Sequence, residues 1–293
     1  MKAIVFGSLN IDKVYSVSAL PDKGETVTCV DLNIKVGGKG LNQAVSLKKA
    51  GADVKLAGCV GEDCDELIDF LNSCRVDTSL INKLASNTGH CIIQVDPQGK
   101  NQMILYPGAN RLIDESYCDK VLAQIEEGDL LLMQYETSCV EYMAREGKKR
   151  GAVVAFNPSP YVPHLQSFPY ETVDYLILNE YEGRQLTGKE CPKDIIASLL
   201  KINPGMSVVL TLGGDGSIFA NADCEIFEPA LKVNAVDTTC AGDTFTGYFL
   251  KTFLSERNAE RALKTATCAS SLAVTKIGAA QTIPDIKDVL GSL

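Results

Sequence analysis

Residues 237–244 read Asp237-Thr238-Thr239-Cys240-Ala241-Gly242-Asp243-Thr244, and Phe245, Phe249 and Phe253 follow at helical spacing. Small residues just ahead of a helix leave several backbone N–H groups without partners and aimed at one spot. That spot takes an anion. A phosphoryl group in transfer spreads negative charge over its oxygens, so N–H groups aimed in advance suit phosphoryl transfer. Asp243 stands at the mouth of the spot, where its carboxylate can accept the proton of an attacking hydroxyl. Taken alone, it serves as well as a helix cap.

Two further loops are rich in glycine. Val36-Gly37-Gly38-Lys39-Gly40-Leu41-Asn42-Gln43 precedes a helix beginning near Leu41, but Gly40 follows Lys39 and no Walker A register is present. Glycine lets backbone approach a ligand closely, which would turn Lys39 and Asn42 toward a polyhydroxylated substrate; a plain turn into the helix is the alternative. Thr211-Leu212-Gly213-Gly214-Asp215-Gly216 follows an apolar run ending at Leu210. Open α/β sheets bind ligands beyond the carboxyl ends of their strands, so this loop is placed to hold a nucleotide, or simply to turn a hairpin into Ser217-Ile218-Phe219.

The elements that must carry these loops are short apolar runs alternating with helical patterns. Ala3 to Phe6, Val54 to Val60, Leu130 to Met133, Val153 to Phe156, Tyr175 to Leu178 and Val208 to Leu210 are apolar at successive positions, as in strands covered on both faces. Leu41, Ala44, Val45 and Lys48 share a helical face, as do Ile195, Ile196, Leu199 and Leu200. The pattern predicts an α/β fold: a doubly wound, mostly parallel sheet sandwiched by helices. Residues 11–36 and 89–106 instead alternate apolar and polar side chains, which predicts a small antiparallel sheet. They form a lid inserted twice into a core made of residues 1–10, 37–88 and 107–293.

Bulk composition excludes several classes. The chain of 293 residues carries 28 Lys and Arg against 37 Asp and Glu, a net charge of -9, and shows no clustered basic run, so nucleic acid is not an expected partner. His90 and His164 are its only histidines, too few for a His-rich zinc site. Eleven cysteines without a C-x-x-C pair read as reduced thiols of a cytosolic protein, and no apolar run reaches the length of a membrane span.

Gly7-Ser8-Leu9-Asn10-Ile11-Asp12, the Gly37–Gly40 cluster with Asn42, Leu132-Met133-Gln134-Tyr135-Glu136, Asn157-Pro158, Asn179-Glu180-Tyr181-Glu182, Thr211-Leu212-Gly213 and Asp237 to Asp243 occur in one order along nearly the whole chain. In that series the sequence resembles the PfkB-type carbohydrate kinases, the ribokinase family. Outside it, Asn10 and Asp12 read as an Asx turn after a strand, and Glu136 and Glu182 as solvated charges.

The resemblance implies roles. Asn10, Asp12, Gly38, Lys39, Asn42 and Glu136 would bind sugar hydroxyls, Asp243 would be the catalytic base, and the backbone of Cys240, Ala241 and Gly242 would form the anion hole. Cys240 stands where the family commonly has Ala or Gly, and offers the same backbone N–H. Asn179 and Glu182 match an N-x-x-E element that organises Mg2+ and phosphate, largely through water. Thr211, Gly213, Asp215 and Gly216, with Asn179 and Gly242, would hold ATP. Loop carbonyls of Asp237, Thr239 and the segment 276–282, including Lys276, Gly278 and Thr282, would bind a monovalent cation, K+. The implied reaction is phosphorylation of ribose at its 5-hydroxyl. Kinases for deoxyribose, fructose or a nucleoside share the phosphate machinery, and a silent sugar-binding protein is the remaining alternative. The apolar face and exposed edges of the lid predict a homodimer formed through it.

Overall fold

The computed structural model describes residues 2–293. The chain begins β1 (Lys2–Phe6), β2 (Asn10–Val17), β3 (Cys29–Gly37), α1 (Lys39–Lys49), β4 (Asp53–Val60), α2 (Asp65–Ser73), β5 (Asp77–Lys83), β6 (Gly89–Val95) and β7 (Asn101–Tyr106). It continues α3 (Glu115–Leu122), β8 (Leu130–Gln134), α4 (Val140–Lys149), β9 (Val153–Asn157), β10 (Tyr175–Asn179), α5 (Glu180–Thr187) and α6 (Pro192–Ile202). The last elements are β11 (Ser207–Thr211), β12 (Gly216–Ala220), β13 (Glu225–Pro229), α7 (Ala241–Glu256), α8 (Ala259–Ala273) and α9 (Ile286–Ser292).

Nine strands form one sheet in the order β13-β12-β11-β10-β9-β8-β1-β4-β5. Pairing is parallel from β5 to β11 and antiparallel for the hairpin strands β12 and β13. Alternate side chains of each central strand enter opposite cores, as a period of two requires. Ala3 and Val5, Leu130 and Leu132, and Tyr175 and Ile177 pack toward α1, α2, α7, α8 and α9. Ile4 and Phe6, Leu131 and Met133, and Leu176 and Leu178 pack toward α3, α4, α5 and α6. Both faces are therefore dry, which is why these strands read as unbroken apolar runs. Only five of the eleven cysteines are buried in this interior; Cys29, Cys191 and Cys224 are exposed.

The remaining strands form a second sheet, β3-β2-β6-β7. Its outer pairings, β2 with β3 and β6 with β7, are antiparallel, while β2 and β6 run parallel and join the two separate stretches of chain. One end of β2 and β3 reaches the main sheet, where Asn10 pairs with Gly37 and Gly89. Val30, Ile34, Met103 and Ile104, on the two edge strands, are exposed apolar side chains. Among the described residues no helix is long and apolar enough to cross a membrane.

Candidate active site

Strand order reverses between β1 and β8, and the loops leaving their carboxyl ends diverge there, opening a crevice. Ser8, just past β1, donates its hydroxyl to Glu136 Oε2, just past β8. The same oxygen accepts the N–H of Lys39 at 3.2 Å, and Ser8 Oγ accepts that of Gly40 at 3.4 Å. The start of α1 is thus tied to two strand ends. Gly38, its N-cap, has φ 98°, and a Cβ there would meet the Ser8 carbonyl oxygen at 2.7 Å. Both the dihedral and the close approach require glycine.

The second-sheet residues Asn10 and Asp12 overhang this crevice. They open β2 in extended backbone rather than making an Asx turn. Asn10 Oδ1 takes an N–H from Asn110 Nδ2 at 2.8 Å, and Asn110 Oδ1 accepts the N–H of Leu9 at 3.1 Å. Burial, reinforced by the Glu136 carboxylate, pushes the Asp12 carboxyl up to about 6. Burial works against the charge of Lys39, but the carboxylates of Asp243, Glu136 and Glu182 outweigh it and hold its ammonium above the ordinary range.

Asp243 comes from the other side of the crevice, in the first turn of α7. The residue that caps α7 is Cys240, in the left-handed region at φ 66°, and it makes no side-chain cap bond. The capping role for Asp243 is thereby excluded. Its carboxylate is turned inward, with Oδ2 accepting from Asn42 Nδ2 and Oδ1 from Gln43 Nε2, both at 2.9 Å. Helix α1 supplies both donors and packs directly on α7, with Ser46 Oγ donating to the Thr244 carbonyl at 2.8 Å.

The left-handed turn at Cys240 leaves the N–H groups of Cys240 and Gly242 without a partner among the described residues, whereas that of Ala241 reaches the Thr238 carbonyl at 3.2 Å. Of the three N–H groups expected to face an anion, one is therefore shared with the loop itself. Around this turn lies a cavity of about 230 Å³ lined by Lys39, Asn179, Glu182, Cys240, Gly242 and Asp243. It adjoins a second, of about 320 Å³, whose wall is mainly apolar and includes Leu231, Val233, Phe245 and Val274 with Gly213, Gly214 and Gly216. Thr211, Thr238, Ala241 and Gly242 line both. The glycine loop after β11 does turn a hairpin, and the same turn forms a cavity wall. Asp215 is exposed and outside that wall, while Gly214, which the sequence did not single out, belongs to it.

Asn179 and Glu182 form a reciprocal cap on α5: Asn179 Oδ1 accepts the Glu182 N–H at 2.9 Å, and Glu182 Oε2 accepts the Asn179 N–H at 3.0 Å. The spacing N-x-x-E is a capping signature that the sequence reading passed over. Glu182 is buried and no cationic side chain pairs with it among the described residues. Asp237 links two loops, accepting the N–H of Thr239 at 2.9 Å and that of Gly278 at 3.0 Å. Burial opposes its charge, but these bonds hold its carboxyl below the usual range. Lys276 is exposed and Thr282 buried on the second of those loops.

Ser8, Gln43, Asn110, Gln134 and Asn157 were not assigned roles from the sequence, yet all lie in this hydrogen-bonded layer. Gln134 and Asn157 had a signal: each is a polar residue at the carboxyl end of an otherwise apolar strand.

A slot with apolar walls leads through an anion cradle to a carboxylate, with a polar crevice on the carboxylate's far side. Phosphoryl transfer from a nucleotide to an alcohol requires these parts in that order, and the class they define is the ATP-dependent carbohydrate kinases. The pfkB family carbohydrate kinase model matches residues 1–286, and the chain belongs to that family. It is 35% identical to the ribokinase of Haemophilus influenzae over 98% of this chain and 96% of that one. It is 30% identical to the deoxyribokinase of Salmonella typhi over 98% and 97%. The structure of Arabidopsis thaliana ribokinase complexed with ribose and ATP superposes with a TM-score of 0.87 at 28% identity, covering 99% of this chain and 97% of that one.

Proposed function

We propose that this kinase transfers the γ-phosphoryl group of ATP to the 5-hydroxyl of D-ribose. The observation that carries the reading is the placement of Asp243, which lines the smaller cavity between the apolar slot and the crevice, with an amide donor on each oxygen. In this reading ribose lies under the second sheet, its hydroxyls held by Asn10, Asp12, Gly38, Lys39, Asn42 and Glu136. The adenine lies between the Gly213–Gly216 turn and the apolar wall, with Thr211, Gly213 and Gly216 beside it and Asn179 near the phosphates. Asp243 accepts the proton of the attacking hydroxyl, and the N–H groups at Cys240 and Gly242 take the charge that builds on the γ-phosphoryl oxygens. The Lys39 ammonium adds to that neutralisation.

Glu182, buried and in no ion pair among the described residues, is a fitting outer ligand for Mg2+, with Asn179 beside it. The ion would neutralise phosphate charge during transfer. The loops of Asp237 and Thr239 and of Lys276, Gly278 and Thr282 are tied together by the Asp237 carboxylate, and their carbonyls and hydroxyls are the donors a K+ ion takes. The second sheet, with exposed apolar side chains on both edge strands, would pair with a second copy in a homodimer, and the protein works in the cytoplasm.

A second reading, a kinase for 2-deoxyribose, is favoured by the likeness to a deoxyribokinase. A coupled assay of ADP release with ribose, 2-deoxyribose, fructose and ribonucleosides separates them. Ribose should show the highest kcat/KM; preference for another acceptor overturns the substrate assignment, and no acceptor-dependent turnover overturns the kinase reading for this chain.

A further inference from the structure

The two amides that hold Asp243 differ in their freedom to turn. The Ile177 carbonyl only accepts, so Asn157 must give it Nδ2, at 2.8 Å, and point Oδ1 the other way. That Oδ1 accepts Gln43 Nε2 at 3.1 Å, and Gln43 Oε1 in turn accepts Gln134 Nε2 at 2.7 Å. Gln43 is wholly buried. Exchanging its nitrogen and oxygen would set oxygen against oxygen at both Asn157 and Asp243, whereas Gln134, whose Oε1 has no partner among the described residues, could turn with it. A backbone carbonyl therefore fixes, through Asn157, that Gln43 presents an N–H to Asp243 Oδ1. Asn42 has no such lock, because its Oδ1 is buried without a partner among the described residues. Turning the Asn42 amide over forfeits one bond to the carboxylate and creates an acceptor in its place.

We infer that Gln43 is a positioning residue that fixes the orientation of Asp243 and directs the proton of the substrate hydroxyl to Oδ2. The inference rests on the reading of Asp243 as the base. In the step, the hydroxyl O–H bond breaks and its proton goes to Oδ2. The oxygen's electron pair forms the new bond to the γ-phosphorus, and the bond from that phosphorus to the bridging oxygen breaks, its pair leaving on ADP. A proton on Oδ1 would weaken that oxygen as an acceptor for an N–H that cannot find another. A proton on Oδ2 meets an amide that can turn to receive it. The bond from Gln43 is also stronger to a charged oxygen than to a neutral one.

The test is the pH dependence of kcat with saturating ATP and ribose, in wild type, Gln43→Met, Gln43→Glu and Asp243→Asn. Gln43→Met should lower kcat by roughly tenfold or more, leave both KM values within about twofold, and move the acid limb of the profile to higher pH. Gln43→Glu, which sets a second carboxylate against the first, should move that limb further in the same direction. A purely structural role would change thermal stability and leave the limb in place. Should Gln43→Met not fold, Gln134→Met removes the donor to Gln43 Oε1 at similar volume and should give a smaller shift of the same sign. A folded Gln43→Met with wild-type kcat and acid limb, beside an inactive Asp243→Asn, overturns this inference alone. Near-normal turnover in Asp243→Asn overturns the assignment of the base beneath it.

Discussion

Ser46 Oγ occupies the place that a side chain on Gly247 would need: a Cβ there would come within 2.3 Å of it and within 2.6 Å of the Leu47 nitrogen. Helices α1 and α7 meet at this point, and from the same two helices Asn42, Gln43 and Asp243 project into the site. Gly247→Ala must therefore push the helices apart. We expect a loss of about 1–3 kcal/mol in stability and a fall of tenfold or more in kcat/KM, since misplacing catalytic groups by about 1 Å is costly. Thermal melts and steady-state kinetics of the one variant check both; unchanged kinetics in a destabilised protein would show that the contact does not set the site.

Asp243→Asn should lower kcat by roughly 10² to 10⁴ while ATP affinity stays nearly constant, because proton acceptance is lost and the nucleotide contacts are not. Single-turnover kinetics with an independent measurement of nucleotide binding separates the two quantities.

Asp12 gives the sugar site a pH dependence. With its carboxyl pushed up to about 6, mainly by burial, Asp12 loses its charge as pH falls from 7 to 5, and with it an acceptor for sugar hydroxyls. The KM for ribose should rise about tenfold over that interval while the KM for ATP holds. Stability runs the other way. The folded state binds this proton more tightly than the unfolded state, so the destabilisation appears as pH rises from about 4 to about 6 and is complete above that. Asp12→Asn should accordingly raise the melting temperature of the sugar-free protein at pH 7 and not at pH 4, while weakening ribose binding and shrinking the preference for ribose over 2-deoxyribose.

Replacing Na+ by K+ at matched ionic strength should raise activity, and removing Mg2+ with a chelator should abolish it. Asp237→Ala breaks the bonds to Thr239 and Gly278 and should reduce the difference between the two monovalent salts severalfold. Equal rates in K+ and Na+ for the wild type would rule against a cation at these loops.

The central strands were legible because each is buried on both faces and carries an uninterrupted apolar run. Strand β5, Asp-Thr-Ser-Leu-Ile-Asn-Lys, lies at a sheet edge with partly exposed side chains and gave no such signal. The parallel pairing of β2 with β6 was equally hidden, since strand direction is set by the path of the connecting chain and not by alternation within a strand. In the site, the glycine loops and Asp243 stood out because local backbone needs determine them. Gln43 did not, because its partners Gln134, Asn157 and Asp243 lie 91, 114 and 200 residues away and nothing local distinguishes it from other buried amides.

The meeting of α1 with α7 also sets an order of events during synthesis. Helix α1 is among the first elements to leave the ribosome, and Leu41 to Leu47 are buried in the finished protein. The helix that covers them near the active site is made some 200 residues later. Until then the face of α1 that α7 covers, with Asn42, Gln43 and Ser46 on it, stays open and the chain cannot be active, however well the first strands have paired. Late, long-range closure of this kind slows folding and leaves intermediates prone to association. A nascent chain halted before residue 241 should therefore be captured by chaperones at α1, and its release should coincide with the arrival of α7.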